Sequence, residues 1–342
     1  MMRKAIFIAA SVIVSGAFLW LALRDVPLEA VGRSISEASP LWILISFATV
    51  GLALWTRGIR FYGLLGGRVT RLTAFYMFCV TMFINLLPLR AGEVARVLLA
   101  TRYGVPVMTT ATAIVVERLI DVLTVLLLLA YSLARLPAAP PAVSNAAILF
   151  AIATVVGFAT LLALARFPHI AHNLLVAIEG RVPLARRLHL RQRLEEVLDG
   201  LRPLMNWRSA AHVTFWTVVG WFVSLMTIYT LEIAFGIQGT DLWLLAALSL
   251  ALASFGVAIP VTVAGIGPFQ GAVRLAGEVM GISAIAAASL GIVFHAVTVL
   301  AYSIFGVISL IALGVSLGDL MRPTHTTEPA AEVSLPPKAD TV

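Results

Sequence analysis

The sequence predicts an all-α, polytopic membrane protein with about eight membrane elements: six full spans and two re-entrant helical hairpins. Residues of the set AVILMFWYC make up 60% of the 342-residue chain and charged residues only 12%, whereas soluble domains are about 25% charged. Long apolar runs such as 122–130 and 242–263 lack the period-2 alternation of a membrane β-barrel, which favours helices. Two further apolar regions are interrupted at their middles by proline and glycine, and both residues weaken a helix.

The full spans are predicted from uninterrupted apolar segments. The first run, 5–23, follows Met-Met-Arg-Lys and is longer than a signal-peptide core, so we expect it to be retained as a span. The other full spans are expected near 41–57, 107–134, 145–165, 211–235 and 283–316. The only cysteine, Cys79, lies in an apolar stretch, so an intrachain disulfide is excluded.

The distribution of arginine predicts the orientation of these spans. The stretches 57–71 and 166–208 are rich in arginine and should be cytoplasmic, as should the N-terminal Arg3-Lys4. The stretches 135–144 and 236–241 contain one basic residue between them and should face outward. A last span that ends inside, before Arg322, then leaves both termini in the cytoplasm.

The two interrupted regions, 72–103 and 241–280, each have to leave and return on one side of the membrane if these sides are correct. They are therefore predicted to be re-entrant hairpins, with breaks at 85–92 and at 260–268. The chain then divides into halves of about 1–135 and 145–318 that have the same element order and opposite orientation. Such an inverted repeat is typical of secondary transporters. A faint echo supports it, because Glu93 precedes Arg118 by the same 25 residues that separate Gln270 from His295.

Two segments differ in character from the rest of the predicted membrane domain, which covers 1–320. Residues 167–208 combine arginines with leucines near helical spacing. They are expected to form amphipathic helices on the inner membrane surface, or to act only as a basic topological anchor. Residues 321–342 are proline-rich and polar, which predicts a disordered cytoplasmic tail.

Seven ionisable residues lie within the predicted membrane segments: Arg90, Glu93, Arg96, Glu117, Arg118, Asp121 and Arg274. A charged side chain at the centre of a membrane helix costs about 2.5–3.5 kcal/mol on insertion scales. A polar cavity lined by these residues would keep them away from lipid, and intramembrane charges usually mark a substrate or ion path. The alternative is a buried salt-bridge network that only fixes the packing of the helices.

The half-helices predicted after the two breaks add a preference for anions. The half-helix that begins at Gly92 would point its N-terminus, with free N–H groups, at the midplane beside Arg90. Pro268 suits the first turn of the matching half-helix, which follows Gly267 and carries Arg274. These features predict a site for a phosphate or another anionic head group. His295 on the last span either faces this cavity or packs against neighbouring helices.

The motif Arg90-x-Gly-Glu-x-x-Arg96, followed by Glu117-Arg118-x-x-Asp121, resembles the lysylphosphatidylglycerol synthase/flippase membrane-domain family of bacterial and archaeal inner membranes. The stretch 265–270 resembles the second motif of that family, although Gln270 stands where the family commonly has a glutamate. The resemblance covers about residues 5–318 and implies a lipid-handling domain in a bacterial-type inner membrane. On the matching positions, it implies a head-group cavity lined by Arg90, Glu93, Arg96, Glu117, Arg118 and Asp121. Gly92, Gly267 and Gln270 in the same two motifs are further candidate substrate-binding residues.

The leading hypothesis is an ATP-independent flippase or scramblase for an anionic, aminoacylated or isoprenoid-linked lipid. No P-loop motif is present, and the aminoacyl-transferase domain of two-domain relatives is missing, so lysyl-lipid synthesis is not expected. Two alternatives stay open. One is an intramembrane enzyme of lipid or lipid-linked glycan biosynthesis, with Glu117 or Asp121 as general base. The other is an accessory protein that positions a lipid-modifying enzyme. Membrane lipids are the expected partners, with a lipid-modifying enzyme or a homodimer as further candidates; no cofactor, metal or nucleic acid is predicted.

Overall fold

The computed structural model describes residues 2–87, 91–136, 190–258 and 262–316, with scattered residues of 149–173 and Gly318. The secondary structure of this part is entirely helical, without strands, as the composition predicted. The predicted span 145–165 lies largely outside the described residues, and the predicted tail 321–342 lies wholly outside them.

Six helices precede the scattered residues. They are α1 (Met2–Leu23), α2 (Leu28–Glu37), α3 (Pro40–Leu64), α4 (Arg71–Ile84), α5 (Gly92–Arg102) and α6 (Val107–Arg135). Five helices follow: α7 (Leu190–Met205), α8 (Trp207–Ala234), α9 (Leu242–Ala258), α10 (Pro268–Val279) and α11 (Ala284–Ala312). Three of these described helices, α4, α8 and α11, are preceded by a residue whose side chain accepts a hydrogen bond from a backbone N–H of the first turn. This bond satisfies an N–H group that has no partner within the helix. These capping residues are Thr70, Asn206 and Ser283.

Three helices of the described part, α3, α8 and α11, are long and apolar enough to cross a bilayer. Residues 10–23 of α1 together with α2 would make a fourth span, bent by 81°. Helix α6 has 29 residues, as many as α11, but carries Glu117, Arg118 and Asp121 near its middle. The apolar helices α4 and α9 have only 14 and 17 residues. The total of about eight membrane elements therefore remains a prediction.

The described helices form two sets with the same order of lengths. Helices α3 to α6 follow one another as long, short, short and long, and α8 to α11 repeat that order. The breaks between the short helices fall after Ile84 and after Ala258, where the sequence predicted them. Helix α4 of the first set packs against α11 of the second, and α9 of the second set packs against α6 of the first.

Helices α3 and α8 pack along their whole length and run antiparallel. The Ser39 N–H donates to the Ala234 carbonyl at 2.9 Å, near the start of α3 and the end of α8. The Ser46 hydroxyl donates to the Thr227 carbonyl at 3.0 Å, and His212 Nε2 lies 3.3 Å from the Ile59 carbonyl at the opposite end. The first helices of the two sets are thus oriented in opposite directions.

The structure corrects the expected boundary of the second span. The sequence places the end of that span at residue 57 and assigns Arg57 and Arg60 to a cytoplasmic stretch. Helix α3 instead continues to Leu64, and Arg60 is only 1% exposed. Counting arginines misplaced these two residues because a guanidinium that has polar partners inside the bundle need not mark a loop; Arg60 is held by Asp121 and Arg57 by the Ser224 hydroxyl.

Helix α7 represents the described C-terminal part of the predicted amphipathic segment 167–208. Its apolar side packs against α6, where Leu201 is fully buried in the core shared by the two helices. The Glu196 carboxylate accepts a hydrogen bond from the Met108 N–H in the first turn of α6, at 3.2 Å. A carboxylate at a helix N-terminus interacts favourably with the helix dipole. This helix is therefore fastened to the bundle and is more than a basic surface element.

Candidate functional site

A cavity of about 910 Å³ lies between the two sets of helices. Residues of α3, α4, α5, α6, α8, α9, α10 and α11 line it, so both interrupted regions contribute. One part of its wall is polar: Arg57, Asn85, Glu93, Arg118, Asp121, Ser224 and His295. Most of the remaining wall is apolar, with Val50, Phe78, Met82, Val125, Leu250, Phe255, Phe269 and Phe294 among its residues.

The cavity lies near the middle of the long helices. Helix α8 is about 42 Å long at 1.5 Å per residue, and its lining residues Trp221, Ser224 and Thr227 lie about 20–30 Å from its start. The lining residues of α11, Phe294 to Tyr302, lie about 15–27 Å from the start of that helix. In a bilayer whose normal is parallel to these helices, the cavity is therefore near the midplane, where charged side chains are most costly.

A network of ion pairs lies behind the polar wall. Two guanidinium nitrogens of Arg96 donate to both oxygens of Glu117, at 3.1 and 3.0 Å. Arg60 binds both oxygens of Asp121 in the same way, at 2.6 and 3.1 Å. A further contact of 3.9 Å joins Arg60 to Glu117. Because Arg96 and Glu117 are 0% exposed, their pair lies behind the wall and does not reach the cavity space.

Arg118 connects this network to the cavity. Its guanidinium donates to Glu117 and lies 3.5 Å from an oxygen of Asp121. Its side chain is nevertheless 39% exposed and lines the cavity. The indole N–H of Trp221 donates to Asp121 at 3.2 Å. The carboxylates of Glu117 and Asp121 are therefore surrounded by guanidinium and indole donors.

Arg57 differs from the other three arginines of the site. It donates to the Ser224 hydroxyl at 2.9 Å and lies 5.7 Å from the centre of the Trp221 ring. Among the described residues, no carboxylate lies within ion-pair distance of Arg57. Four guanidinium groups at and behind the cavity wall (Arg57, Arg60, Arg96, Arg118) thus face three carboxylates (Glu93, Glu117, Asp121). The described part of the site carries one positive charge in excess.

The first interrupted region is closed by a side chain at its tip. The Asn85 carbonyl oxygen accepts from the Gly92 N–H at 2.9 Å, and its amide donates to the Glu93 carboxylate at 3.2 Å. Gly92 is required here because a Cβ would meet the Asn85 side chain at 2.6 Å. The arrangement holds Glu93 in the first turn of α5, facing the cavity.

The second interrupted region is held by a chain of hydrogen bonds to α11. The Gly267 N–H donates to the Gln270 carbonyl oxygen at 2.7 Å. The Gln270 amide nitrogen then donates to His295 Nδ1 at 2.7 Å, which leaves Nε2–H to donate to the Ala264 carbonyl at 3.0 Å. Ala264 has a φ of 53° and Gly267 a φ of 94°, so this chain of bonds fixes a tight backbone path beside the cavity.

The structure brings together most of the residues that the sequence predicted. Glu93, Arg118, Asp121 and His295 line the cavity. Four others support it from behind: Gly92, Gln270 and the pair Arg96–Glu117. Gly267 does not line it and caps α10, where a Cβ would meet the Phe18 side chain and the Leu19 backbone of α1.

One predicted residue, Arg274, is placed differently, and another, Arg90, has no described position. Arg274 points away from the cavity and donates to the Ala22 carbonyl at 2.7 Å and to Glu278 at 2.7 Å. It therefore fastens α10 to the C-terminal end of α1, where a cation is favourable. Arg90 lies outside the described residues.

Three residues of the cavity wall and its ion-pair network were not among those predicted from the sequence: Arg57, Arg60 and Trp221. The arginines were counted as topological signals. Their spacing of three residues in an otherwise apolar run was the available indication that they share a helix face. Nothing in the sequence distinguishes Trp221 from the other tryptophans of the chain as a cavity residue.

These features define an integral membrane protein whose helical bundle encloses a charged cavity among its spans. The chain belongs to the family described as the lysylphosphatidylglycerol synthase TM region, whose model matches residues 8–306. This result confirms the resemblance found in the motifs and indicates a membrane protein of lipid modification or transport. Comparison with curated proteins and with solved structures gave no match.

Proposed function

We propose that the protein is an ATP-independent flippase or scramblase that moves a lipid with an anionic head group across the membrane. One observation carries the proposal: the central cavity combines a polar wall, which together with the ion pairs behind it carries one excess positive charge, with a larger apolar wall. An amphiphile matches such a surface, because its head group can bind the polar wall while its chains contact the apolar wall. Bilayer lipids are the amphiphiles available at this depth.

Two cations are available to an anionic head group. In the described part of the chain, Arg57 has only Ser224 and the Trp221 ring as partners, and the Arg118 side chain is partly exposed and lines the cavity. Both present N–H donors with the geometry that suits phosphate oxygens. Glu93, which has only the Asn85 amide as a described hydrogen-bond partner, faces the same space. It can accept a hydrogen bond from a hydroxyl or amino group of the head group.

The order of the helices suggests how access could alternate. The sets α3–α6 and α8–α11 have matching element lengths, and their first helices run antiparallel. We infer from this that the two sets form an inverted repeat with the cavity at its pseudo-twofold axis. Transporters with this symmetry expose a central site first to one side and then to the other.

The enzyme alternative receives less support from the geometry. A general base needs a free lone pair within hydrogen-bond reach of the substrate. Glu117 is fully buried against Arg96, and Asp121 is bound by Arg60 and Trp221. Both candidate bases are therefore occupied by donors. Glu93 is the freer carboxylate and supports a binding role.

The cellular setting follows the same proposal. Family membership and the arginine-rich segments support a bacterial-type inner membrane with both termini in the cytoplasm. Membrane lipids are then the principal partners, and a lipid-modifying enzyme or a second copy of the chain remains a further candidate.

A leaflet-exchange assay tests the proposal. Purified protein is reconstituted into phosphatidylcholine vesicles with a trace of fluorescent phosphatidylglycerol, and the label that an impermeant quencher can reach is followed in time. We expect the wild-type protein to accelerate exchange of this label. Arg57→Gln should slow it at least about tenfold, because a hydrogen bond to a charged group contributes about 1.5–3 kcal/mol. Arg57 suits this test because its removal orphans no described carboxylate.

The control variant is Arg33→Gln, which removes the same charge from an exposed position on α2. It should exchange the label at the wild-type rate. Full activity of folded Arg57→Gln and Arg118→Gln proteins would contradict the proposal, and so would a wild-type rate equal to that of empty vesicles.

A further inference from the structure

Glu232 is a buried acid that the cavity does not use. It lies near the C-terminal end of α8 and is 0% exposed. Among the described residues, neither of its carboxyl oxygens has a hydrogen-bond partner, and no cationic group lies within ion-pair distance of them. Its neighbours Ile228, Leu231 and Ala234 on the same helix are also buried. This differs from Glu117 and Asp121, whose oxygens are bound by several donors.

An ionised carboxylate in such surroundings is strongly unfavourable. Removing a charge from water costs several kcal/mol even in real proteins, and here no partner offsets that cost. The neutral acid needs much less compensation. The arrangement is therefore compatible with a carboxyl group that holds a proton in this state of the protein.

Other titratable groups lie near this end of the bundle. Helix α3 has no charged residue before Arg57, and α9 has none after the Asp241 that precedes it. Groups at the same end include Asp241, Tyr229, Tyr131 and Arg135, together with Arg33 and Glu37 of α2, both of which are exposed. Asp241 is exposed and accepts from the Leu244 N–H at 3.2 Å, and Arg135 is exposed against Tyr131. No described cation is placed to hold Glu232 in its charged form.

We propose that Glu232 is a proton-binding site that couples lipid movement to a proton gradient. The coupling part of this proposal rests on the proposed function. Glu232 takes its proton from the aqueous phase on the side of Asp241, and losing that proton requires a state in which water or a donor reaches the carboxylate. The same helix carries the cavity residues Trp221, Ser224 and Thr227. Thr227 is about 7.5 Å from Glu232 along the helix axis, so a movement of α8 that exposes Glu232 also changes the cavity wall.

Infrared difference spectroscopy tests proton binding without any transport assay. The spectrum of the wild-type protein in lipid at neutral pH should contain a carboxylic acid C=O band that Glu232→Gln lacks. Glu37→Gln, at an exposed position on α2, should leave that band unchanged. Carbon-13 labelling of glutamate in the wild-type chain should shift the band, which secures the result if Glu232→Gln fails to fold. Absence of any glutamic acid band at neutral pH overturns the proposal.

The leaflet-exchange assay with an imposed pH difference tests coupling. Wild-type exchange should respond to the direction of the gradient, whereas Glu232→Gln should exchange lipid at the same rate with and without it. An equal gradient response of wild type and Glu232→Gln overturns the proposal, as does a wild-type rate that ignores the gradient. In both of these cases lipid exchange itself persists, so the proposed function stands. If no lipid exchange occurs at all, the proposed function fails, and the infrared band still decides whether Glu232 binds a proton.

Discussion

The buried pair Arg96–Glu117 offers the sharpest test of how the cavity wall is built. Arg96→Met removes two charge-assisted hydrogen bonds and leaves Glu117 with Arg118 and with Arg60 at 3.9 Å. Breaking a buried pair costs about 3–5 kcal/mol. Two guanidinium groups remain near the carboxylate, so we expect the low end, about 3 kcal/mol of unfolding free energy.

The double variant Arg96→Met/Glu117→Leu removes the orphaned carboxylate as well. It leaves the net charge of the site unchanged, and replacing a buried ion pair by apolar residues is often neutral or stabilising. We expect it to be about 2 kcal/mol more stable than Arg96→Met, and to exchange lipid at a rate close to wild type. Arg118 then keeps Asp121 as its carboxylate partner.

Reversible unfolding in mixed detergent micelles measures these energies. The seven tryptophans of the chain provide the fluorescence signal, and Trp221 lies directly beside the cluster. A loss below about 1 kcal/mol for Arg96→Met would refute the reasoning, because one partner of a fully buried ion pair cannot be removed at so small a cost while the other stays charged. A double variant as unstable as Arg96→Met would refute it too, since the orphaned charge would then not be the cause.

Three further predictions concern the elements around the cavity. Gly267→Ala should lower thermal stability, because the added Cβ meets the Phe18 side chain at 2.5 Å and the φ of 94° is unfavourable for alanine. The control is Gly271→Ala, whose Cβ would lie 3.7 Å from Ala22. This variant should be neutral or stabilising by up to about 1 kcal/mol. His295→Leu leaves the Gln270 amide without its buried partner and should lower the free energy of unfolding by about 1–3 kcal/mol. The same unfolding in micelles measures this loss. An unchanged stability would show that the chain of hydrogen bonds does not hold the second interrupted region. Glu196→Gln weakens the contact of α7 with the start of α6 and should lower the free energy of unfolding by about 0.3–1 kcal/mol. Hydrogen exchange at the first turn of α6 should increase. Unchanged exchange there would contradict the capping role of Glu196.

The sequence was most informative where composition and helix breakers decide the structure. High apolar content predicted an all-helical membrane protein, and proline and glycine located both breaks between the short helices. Gln270 and His295, whose spacing of 25 residues was noted as an echo between the halves, form a direct hydrogen bond. The matching residues Glu93 and Arg118 both line the cavity.

The partners of the charges could not be read from the sequence. Arg60 binds Asp121 across 61 positions of the chain, and only tertiary packing decides that it does so. Arg118, which is on the same helix as Asp121 and three positions before it, lies 3.5 Å from its carboxylate, but Arg60 makes the closer, bidentate contact. Arg274 was predicted to be a ligand residue, whereas it donates to the Ala22 carbonyl. That bond depends on where α1 ends relative to α10, which the sequence does not reveal.

The central claim is that the cavity binds a lipid head group through Arg57 and Arg118. Mass spectrometry of the lipids retained by gently purified protein tests it most directly. Wild type and Arg33→Gln should retain the same lipid class, enriched above its share of the membrane, and Arg57→Gln/Arg118→Gln should lose that enrichment. Identical retained lipids in all three proteins would contradict the claim and would leave the charges a structural role alone.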